Sequence, residues 1–97
     1  MSASFRDLKV WKKSIELTVL VYELTRAFPK EELYGLTSQM RRASVSIASN
    51  IAEGSARGTV PDFRQFVKIA RGSDCELQTQ IVIARELRLG DQSKCDG

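Results

Sequence analysis

Three cations near the middle of the chain are spaced so that they could act together on an anion. Arg64, Lys68 and Arg71 follow one another at intervals of four and three residues, so on an α-helix they share one face. In a monomer such a group is ordinarily a solvated surface. Repeated around a symmetric oligomer, it would form a basic ring or groove that can hold the phosphates of a nucleic acid. Arg41 and Arg42 are weaker candidates for the same contacts.

Side chains suited to catalysis or metal binding are scarce. The chain has no histidine, so no serine has an imidazole base, and no lysine is placed to form a serine–lysine pair. Glu53 and Glu76 could face each other on two helices, but di-iron bundles need Glu-x-x-His pairs. We expect these glutamates to accept hydrogen bonds or to form ion pairs with arginine. The glycines form no nucleotide-binding pattern, and we expect a non-enzymatic protein with no catalytic residue, metal or cofactor.

Cysteine usage and hydropathy indicate the cellular compartment. Cys75 and Cys95 are too far apart in sequence for a CxxC motif. One disulfide is possible in principle, and two thiols in a reducing cytoplasm is the preferred interpretation. Residues 1–9 lack the apolar region of a signal peptide, and no segment approaches the roughly 18 apolar residues of a membrane span. These features predict a cytoplasmic protein that does not enter the membrane.

The elements that would position the basic residues are predicted to be helices. The 97 residues are 42% hydrophobic and 28% charged, as in an ordinary soluble domain. The net charge of +3 is compatible with binding an anionic partner. Apolar spacings of three and four predict helices at about 8–28, 36–56 and 60–89 in one domain over 1–97, with a short polar tail at 91–97. The predicted helix ends depend on a few capping residues: a cap at Ser4 or Asp7, a start at Thr37 or Ser38, a cap at Thr59 and a C-terminal cap at Gly90.

The second predicted helix is unusually small in side-chain bulk, which places it at the centre of the bundle. Its apolar stripe consists of Met40, Ala43, Ile47, Ile51 and Gly54, beside a stripe of Ser44, Ala48 and Ala52. Gly72 in the third helix is expected to mark a close crossing with it. Five polar residues are expected to form a structural polar core that fixes packing: Gln39, Asn50, Glu53, Glu76 and Gln80. The amides among them could alternatively line a polar ligand pocket.

The first predicted helix carries more apolar surface than one neighbour needs. One stripe consists of Leu8, Trp11, Ile15, Val19 and Tyr22, and a second consists of Leu17, Val21, Leu24 and Phe28. Because a helix packed on one neighbour needs a single apolar face, this helix is expected to touch at least two partners, within the subunit or across an oligomer.

Three blocks of residues form a specific pattern along the chain. They are Phe5, Arg6, Asp7, Leu8, Val10 and Trp11; Leu36, Thr37, Gln39, Arg41, Arg42, Ala43, Ser46, Ile47, Asn50, Ile51, Ala52, Glu53 and Gly54; and Ile69, Ala70, Gly72, Ser73, Glu76, Leu77, Thr79 and Gln80. These blocks resemble a known family, the four-helix-bundle proteins also called 23S rRNA-intervening-sequence proteins. The resemblance runs from Phe5 to about Leu89, and Ala48, where many members have proline, is a mild departure.

The resemblance implies an all-α, antiparallel up-down helical bundle that assembles as a homopentamer in bacteria. Some members are encoded within intervening sequences of large-subunit ribosomal RNA genes. Related accessory variability proteins of diversity-generating retroelements form basic pentameric barrels that bind nucleic acid and the reverse transcriptase. The family supplies no catalytic residues. It closes its bundle with a fourth helix, so with the sequence ending at Gly97 that helix is expected to be truncated, or three helices close by oligomerisation.

Two functional hypotheses follow from the sequence. The first is an oligomeric protein that binds RNA, DNA or an RNA–protein complex through repeated basic faces. The second is a protein-interaction scaffold whose exposed apolar stripes dock a partner helix, with no role in binding nucleic acid.

Overall fold

The chain forms three α-helices. The computed structural model describes residues 4–90, with α1 at Lys9–Thr25, α2 at Leu36–Ala56 and α3 at Val60–Glu86. Single 3₁₀ turns at Phe5–Asp7 and Lys30–Glu32 precede α1 and α2. Residues 4–90 contain no β-strand. The predicted all-α helical bundle is confirmed, and the predicted tail at 91–97 lies outside the described residues.

The central helix is α2, and α1 packs antiparallel along one side of it. The Thr18 hydroxyl contacts the Ser44 carbonyl oxygen at 3.2 Å, and Arg41 Nε donates to Thr25 Oγ1 at 2.8 Å. Ascending positions on α1 therefore meet descending positions on α2. Within residues 4–90 no Cα atom of α1 approaches one of α3 within 8 Å. Both outer helices thus depend on α2 for their packing.

The opposite side of α2 holds α3, again antiparallel and in very close contact. The Oγ atoms of Ser46 and Ser73 are 2.9 Å apart. Near the end of α2, a Cβ built on Gly54 would lie only 2.7 Å from Phe66 Cβ. A Cβ built on Gly72 would meet nothing within 4 Å. The close crossing predicted at Gly72 is therefore wrong: Gly54 on α2 makes it, and Gly72 lies on the exposed side of α3.

The core follows the stripe predicted for α2. All five members of that stripe are buried, and Ser44 and Ala48 are buried beside them. Of these residues, Met40, Ala43, Ile47 and Ile51 form one apolar cluster with residues from both sides of α2. Those partners are Val21 and Phe28, before and after the end of α1, and Ala70, Leu77 and Ala84 of α3.

Side-chain caps fix some helix ends, and backbone geometry fixes others. Ser4 Oγ accepts from Arg6 N at 3.2 Å, so it caps the first 3₁₀ turn, whereas α1 follows Leu8 with no side-chain cap. Thr59 caps α3 as predicted, accepting from Asp62 N at 3.2 Å. Helix α3 ends before Gly90, because Arg88 takes a left-handed φ of 56° and Leu89 N donates to Ala84 O at 3.0 Å.

The range of α2 agrees with the predicted 36–56, and neither of the two residues proposed to begin it, Thr37 and Ser38, is its first residue. The helix begins at Leu36, after Gly35. The carboxylate of Glu32 accepts the Leu36 N–H at 3.2 Å, so an acid four residues upstream does the work expected of a hydroxyl. Both hydroxyl residues lie inside the first turn.

The two apolar stripes of α1 have different surroundings. Val21 of the second stripe is buried, whereas Ile15, Val19 and Tyr22 of the first stripe are 38%, 53% and 38% exposed. An open cavity of about 260 Å³ lies beside the first stripe, between α1 and α2. Its lining includes Phe5, Trp11, Ile15, Val45, Ala48 and Ala52. The first stripe therefore has no full partner among residues 4–90.

Candidate nucleic-acid interface

The three cations predicted to share a face form a basic stripe, Arg64, Lys68 and Arg71, on the outer side of α3. At about 100° per residue they fall within about 60° of one another around the helix. They lie on the side away from Leu77 and Ala84, which are buried, and all three are exposed. The helix thus presents the basic stripe to solvent along two turns.

No acid neutralises the basic stripe in the described part of the chain. The ion pair found between residues 4 and 90 joins Arg57 to Glu53, with 3.0 Å between Nη2 and Oε2. Asp74, on a neighbouring side of α3, instead accepts a hydrogen bond from Gln78 at 2.9 Å. A shallow depression of about 250 Å³ lies against Lys68, Arg71, Gly72 and Cys75. The stripe therefore offers unpaired positive charge beside a surface recess, which suits a phosphate.

Arg57, unlike the three residues of the basic stripe, is paired with an acid within residues 4–90. Besides its ion pair with Glu53, its guanidinium carbon lies 5.1 Å from the centre of the Phe66 ring. Both ionic side chains are about half exposed, at 52% and 54%, so the pair adds little to stability. Its guanidinium is held against the bundle, and its charge is balanced locally.

The second predicted pair, Arg41 and Arg42, lies at a separate place near the start of α2. The guanidinium carbon of Arg41 is 4.6 Å from the centre of the Tyr22 ring, while Arg42 is exposed. The Ser46–Ser73 contact places Arg42 level with position 77 of α3, six residues beyond Arg71 and about 9 Å along the axis. The structure therefore gives two basic sites on one subunit, not one continuous site.

Three of the five residues predicted for the polar core lie at the surface. Gln39, Glu53 and Glu76 are exposed. The two outer helices cover only two sides of α2, which leaves Gln39 and Glu53 to solvent, and Glu76 lies on α3, which within residues 4–90 packs against α2 alone. Gln39 and Glu76 border an open pocket of about 340 Å³ together with Arg42, Ala43, Ser46 and Ser73. The alternative of a polar ligand pocket stays a prediction, since neither Asn50 nor Gln80 lines this opening.

The other two polar residues do lie between helices. Asn50 Nδ2 donates to the Ser46 carbonyl at 2.8 Å and lies 3.0 Å from Ser46 Oγ, which in turn contacts Ser73. Gln80 is 5% exposed, and its Oε1 receives no hydrogen bond from residues 4–90. Asn50 thus joins a short polar network across the α2–α3 contact, whereas the Gln80 oxygen is buried without a donor from the described chain.

The remaining candidate chemistry is sparse. Cys75 is a free, exposed thiol, and Cys95 lies outside the described residues. Between residues 4 and 90 no group of three or more metal-ligating acids or cysteines comes together. None of the three helices is long and apolar enough to cross a membrane.

Two tyrosines lie beside the second basic site, where the sequence pattern did not place them. The pattern assigns Tyr22 to an apolar stripe and leaves Tyr34 in a polar connector. In the structure both border one depression with Arg41 and Arg42. The sequence signal that could have identified this depression is Tyr34, a single aromatic residue in a short polar connector. An aromatic side chain at such a position does not pack into a hydrophobic core.

Comparison with known proteins agrees with the helical pattern. No curated protein matches the sequence. The family model described as the 23S rRNA-intervening sequence protein matches residues 6–96, which includes all three helices. With nearly the whole sequence matched, the chain belongs to the family of 23S rRNA-intervening sequence proteins.

Proposed function

We propose that this is a non-enzymatic, oligomeric helical-bundle protein that binds nucleic acid, either RNA or an RNA–protein complex, through basic faces repeated around the assembly. The observation that carries the proposal is the basic stripe of Arg64, Lys68 and Arg71. The three cations are exposed and unpaired, and they are aligned on the side of α3 that packs against neither α1 nor α2. Such an array attracts the phosphate backbone and releases its counterions.

The proposal includes assembly into a ring, because one subunit presents only three aligned cations. The exposed first stripe of α1 and the apolar cavity beside it are surfaces that a monomer rarely leaves open. Family membership favours a homopentamer in the bacterial cytoplasm as the assembly. Closed symmetry would repeat the stripe once per subunit.

A catalytic role is not proposed, since the hydroxyl groups have structural uses. Ser14 donates to the Trp11 carbonyl at 2.6 Å, and Ser44 donates to the Arg41 carbonyl at 2.8 Å. Ser46 and Ser73 bond to each other. A chain without histidine offers these hydroxyls no imidazole base.

The test is binding of a structured RNA across a salt series, with a charge-matched control. The test variant carries Arg64→Gln, Lys68→Gln and Arg71→Gln. The control carries glutamines at three exposed lysines of α1, Lys9, Lys12 and Lys13, so both variants lose the same charge. The stripe variant is expected to bind more weakly. The slope of its log K against log[salt] should become shallower by about 0.7–0.9 for each phosphate that it no longer neutralises.

Four results would contradict the proposal. Wild-type protein without detectable RNA binding at low salt would remove it, as would binding with no salt dependence. Equal weakening in the two triple variants would show that net charge acts, not the stripe. Light scattering measures the mass in solution, and a monomeric mass would contradict a basic face repeated around an oligomer.

The second candidate is a protein-interaction scaffold without a nucleic-acid role. The observation that favours it is the cavity between α1 and α2, whose lining is almost wholly apolar and suits an amphipathic helix. Protein partners that are recovered after nuclease treatment, and that Ile15→Glu no longer recovers, would support this alternative. Ile15 borders the cavity and is 38% exposed, so the substitution charges the surface without emptying the core.

A further inference from the structure

Tyr34 is an aromatic side chain held out into solvent by an ordered turn. Its exposed fraction is 93%. The turn beneath it is closed by hydrogen bonds from Leu33 N to Lys30 O and from Gly35 N to Glu32 O, each 3.0 Å long. The chain thus presents a phenol ring from a defined backbone position, and the ring packs against little of its own subunit. Exposed aromatic rings on ordered segments are common anchors for a binding partner.

Arg41 borders the same depression as Tyr34 and is held in place by two contacts. Its Nε donates to Thr25 Oγ1 at 2.8 Å, and its guanidinium lies over the Tyr22 ring at 4.6 Å. Thr25 is itself fixed, because its hydroxyl donates to the Val21 carbonyl at 2.8 Å. Nε is therefore occupied while the terminal nitrogens stay available, and the planar cation is pre-organised for an anion or a stacked base.

Arg42 completes a tyrosine–arginine pocket made by Tyr22, Tyr34, Arg41 and Arg42. The four side chains border one depression of about 290 Å³ with Leu33, Thr37 and Ser38. No carboxylate in residues 4–90 pairs with either arginine. In the connector, the Glu32 carboxylate accepts the Leu36 N–H, and Glu76, which borders a neighbouring opening with Arg42, forms no ion pair with it. Two uncompensated cations beside exposed aromatic rings are the combination found in single-strand nucleic-acid grooves.

We infer that the tyrosine–arginine pocket binds one unpaired nucleotide of a single-stranded or looped nucleic acid. The base stacks on Tyr34, and the adjoining phosphate is held by Arg41 and Arg42. This inference rests on the proposed nucleic-acid function and deepens it. The basic stripe on α3 contacts backbone of any sequence, while the pocket distinguishes an unstacked base from a duplex.

The experiment couples a change in the protein to a change in the ligand. A single-stranded RNA oligonucleotide and the same oligonucleotide with abasic positions are titrated by fluorescence anisotropy against wild-type, Tyr34→Ala and Tyr34→Phe proteins. Wild type should prefer the intact strand about 5- to 150-fold, the factor that one base–aromatic stack supplies. Tyr34→Ala should lose that preference, and Tyr34→Phe should retain it because the ring remains. Circular dichroism should show unchanged helix content, since Tyr34 is 93% exposed.

The outcomes separate this inference from the proposed function. If wild type and Tyr34→Ala bind both strands equally well, the base-stacking pocket is refuted while backbone binding stands. If Tyr34→Ala weakens intact and abasic strands by the same factor, Tyr34 does not contact a base. If wild type binds no RNA at all, both proposals fail, and a protein partner for the exposed tyrosine becomes the alternative. Arg42→Gln should lower the salt slope by about 0.7–0.9, whereas Tyr34→Ala should leave it unchanged.

Discussion

Replacing a glycine inside a helix normally stabilises a protein, and here two such replacements should act with opposite signs. Gly54 and Gly72 are both interior helix residues. Alanine stabilises such positions by about 0.5–1 kcal/mol relative to glycine, because an unfolded chain with alanine has less conformational freedom to lose on folding. At Gly72 nothing lies within 4 Å of the added methyl, so Gly72→Ala should raise the free energy of unfolding by about that amount.

At Gly54 the added methyl meets the backbone-anchored part of α3. It would lie 2.7 Å from Phe66 Cβ and 3.4 Å from Phe63 Cα, whereas carbon atoms pack at about 3.5–4.0 Å. Neither neighbour is the end of a flexible side chain, so α2 and α3 must separate. Overpacking of this kind costs about 1–3 kcal/mol, which outweighs the propensity gain. Gly54→Ala should therefore lower the free energy of unfolding by about 0.5–2 kcal/mol.

Urea unfolding followed by circular dichroism, at one fixed protein concentration, measures both changes. The expected gap between the two variants, roughly 1–3 kcal/mol, corresponds to several degrees in Tm for a domain of this size. A Gly54→Ala protein as stable as wild type would refute the tight α2–α3 crossing. A destabilised Gly72→Ala protein would show that the outer side of α3 is covered in the assembled protein, and so would contradict an open basic face.

Three further predictions concern the ends and centre of the bundle. Leu77→Ala should lower the free energy of unfolding by about 2–5 kcal/mol, because Leu77 is 1% exposed; a decrease of less than about 1 kcal/mol in urea unfolding would contradict its place in the core. Thr59→Ala should cost about 1 kcal/mol and speed amide exchange at Asp62, while Thr59→Ser should restore both; equal exchange in all three proteins would rule out the cap. Gln80→Met should raise stability by about 1 kcal/mol, since the buried amide oxygen has no donor in residues 4–90; a decrease in stability would indicate that a partner outside those residues satisfies it.

The sequence by itself determined the helical architecture and its central element. Met40, Ile47 and Ile51 recur at helical spacing, and all three are buried. Apolar periodicity is a local property of the sequence, so it predicts the inward face of a helix before the tertiary contacts are known. The sequence also predicted the alignment of the basic stripe, since residues four and three apart on one helix share a face wherever the helix lies. Family membership also followed from the residue pattern, and the family comparison agrees with it.

Only the tertiary structure decided which side of each helix is covered. Gln39, Glu53 and Glu76 have apolar neighbours in sequence, yet they face solvent. Gln39 and Glu53 lie on sides of α2 that neither outer helix covers, and Glu76 lies on α3, which in the described part of the chain packs against α2 alone. The close crossing lies at Gly54, not at Gly72, since contact depends on where the partner helix passes. Tyr22 and Arg41 lie on different helices, and the antiparallel contact between α1 and α2 brings Tyr22 to the depression that Tyr34 and Arg41 also border. Spacing along one helix predicts which residues share a face, but which faces are covered and which distant residues meet depends on packing between segments that are far apart in sequence.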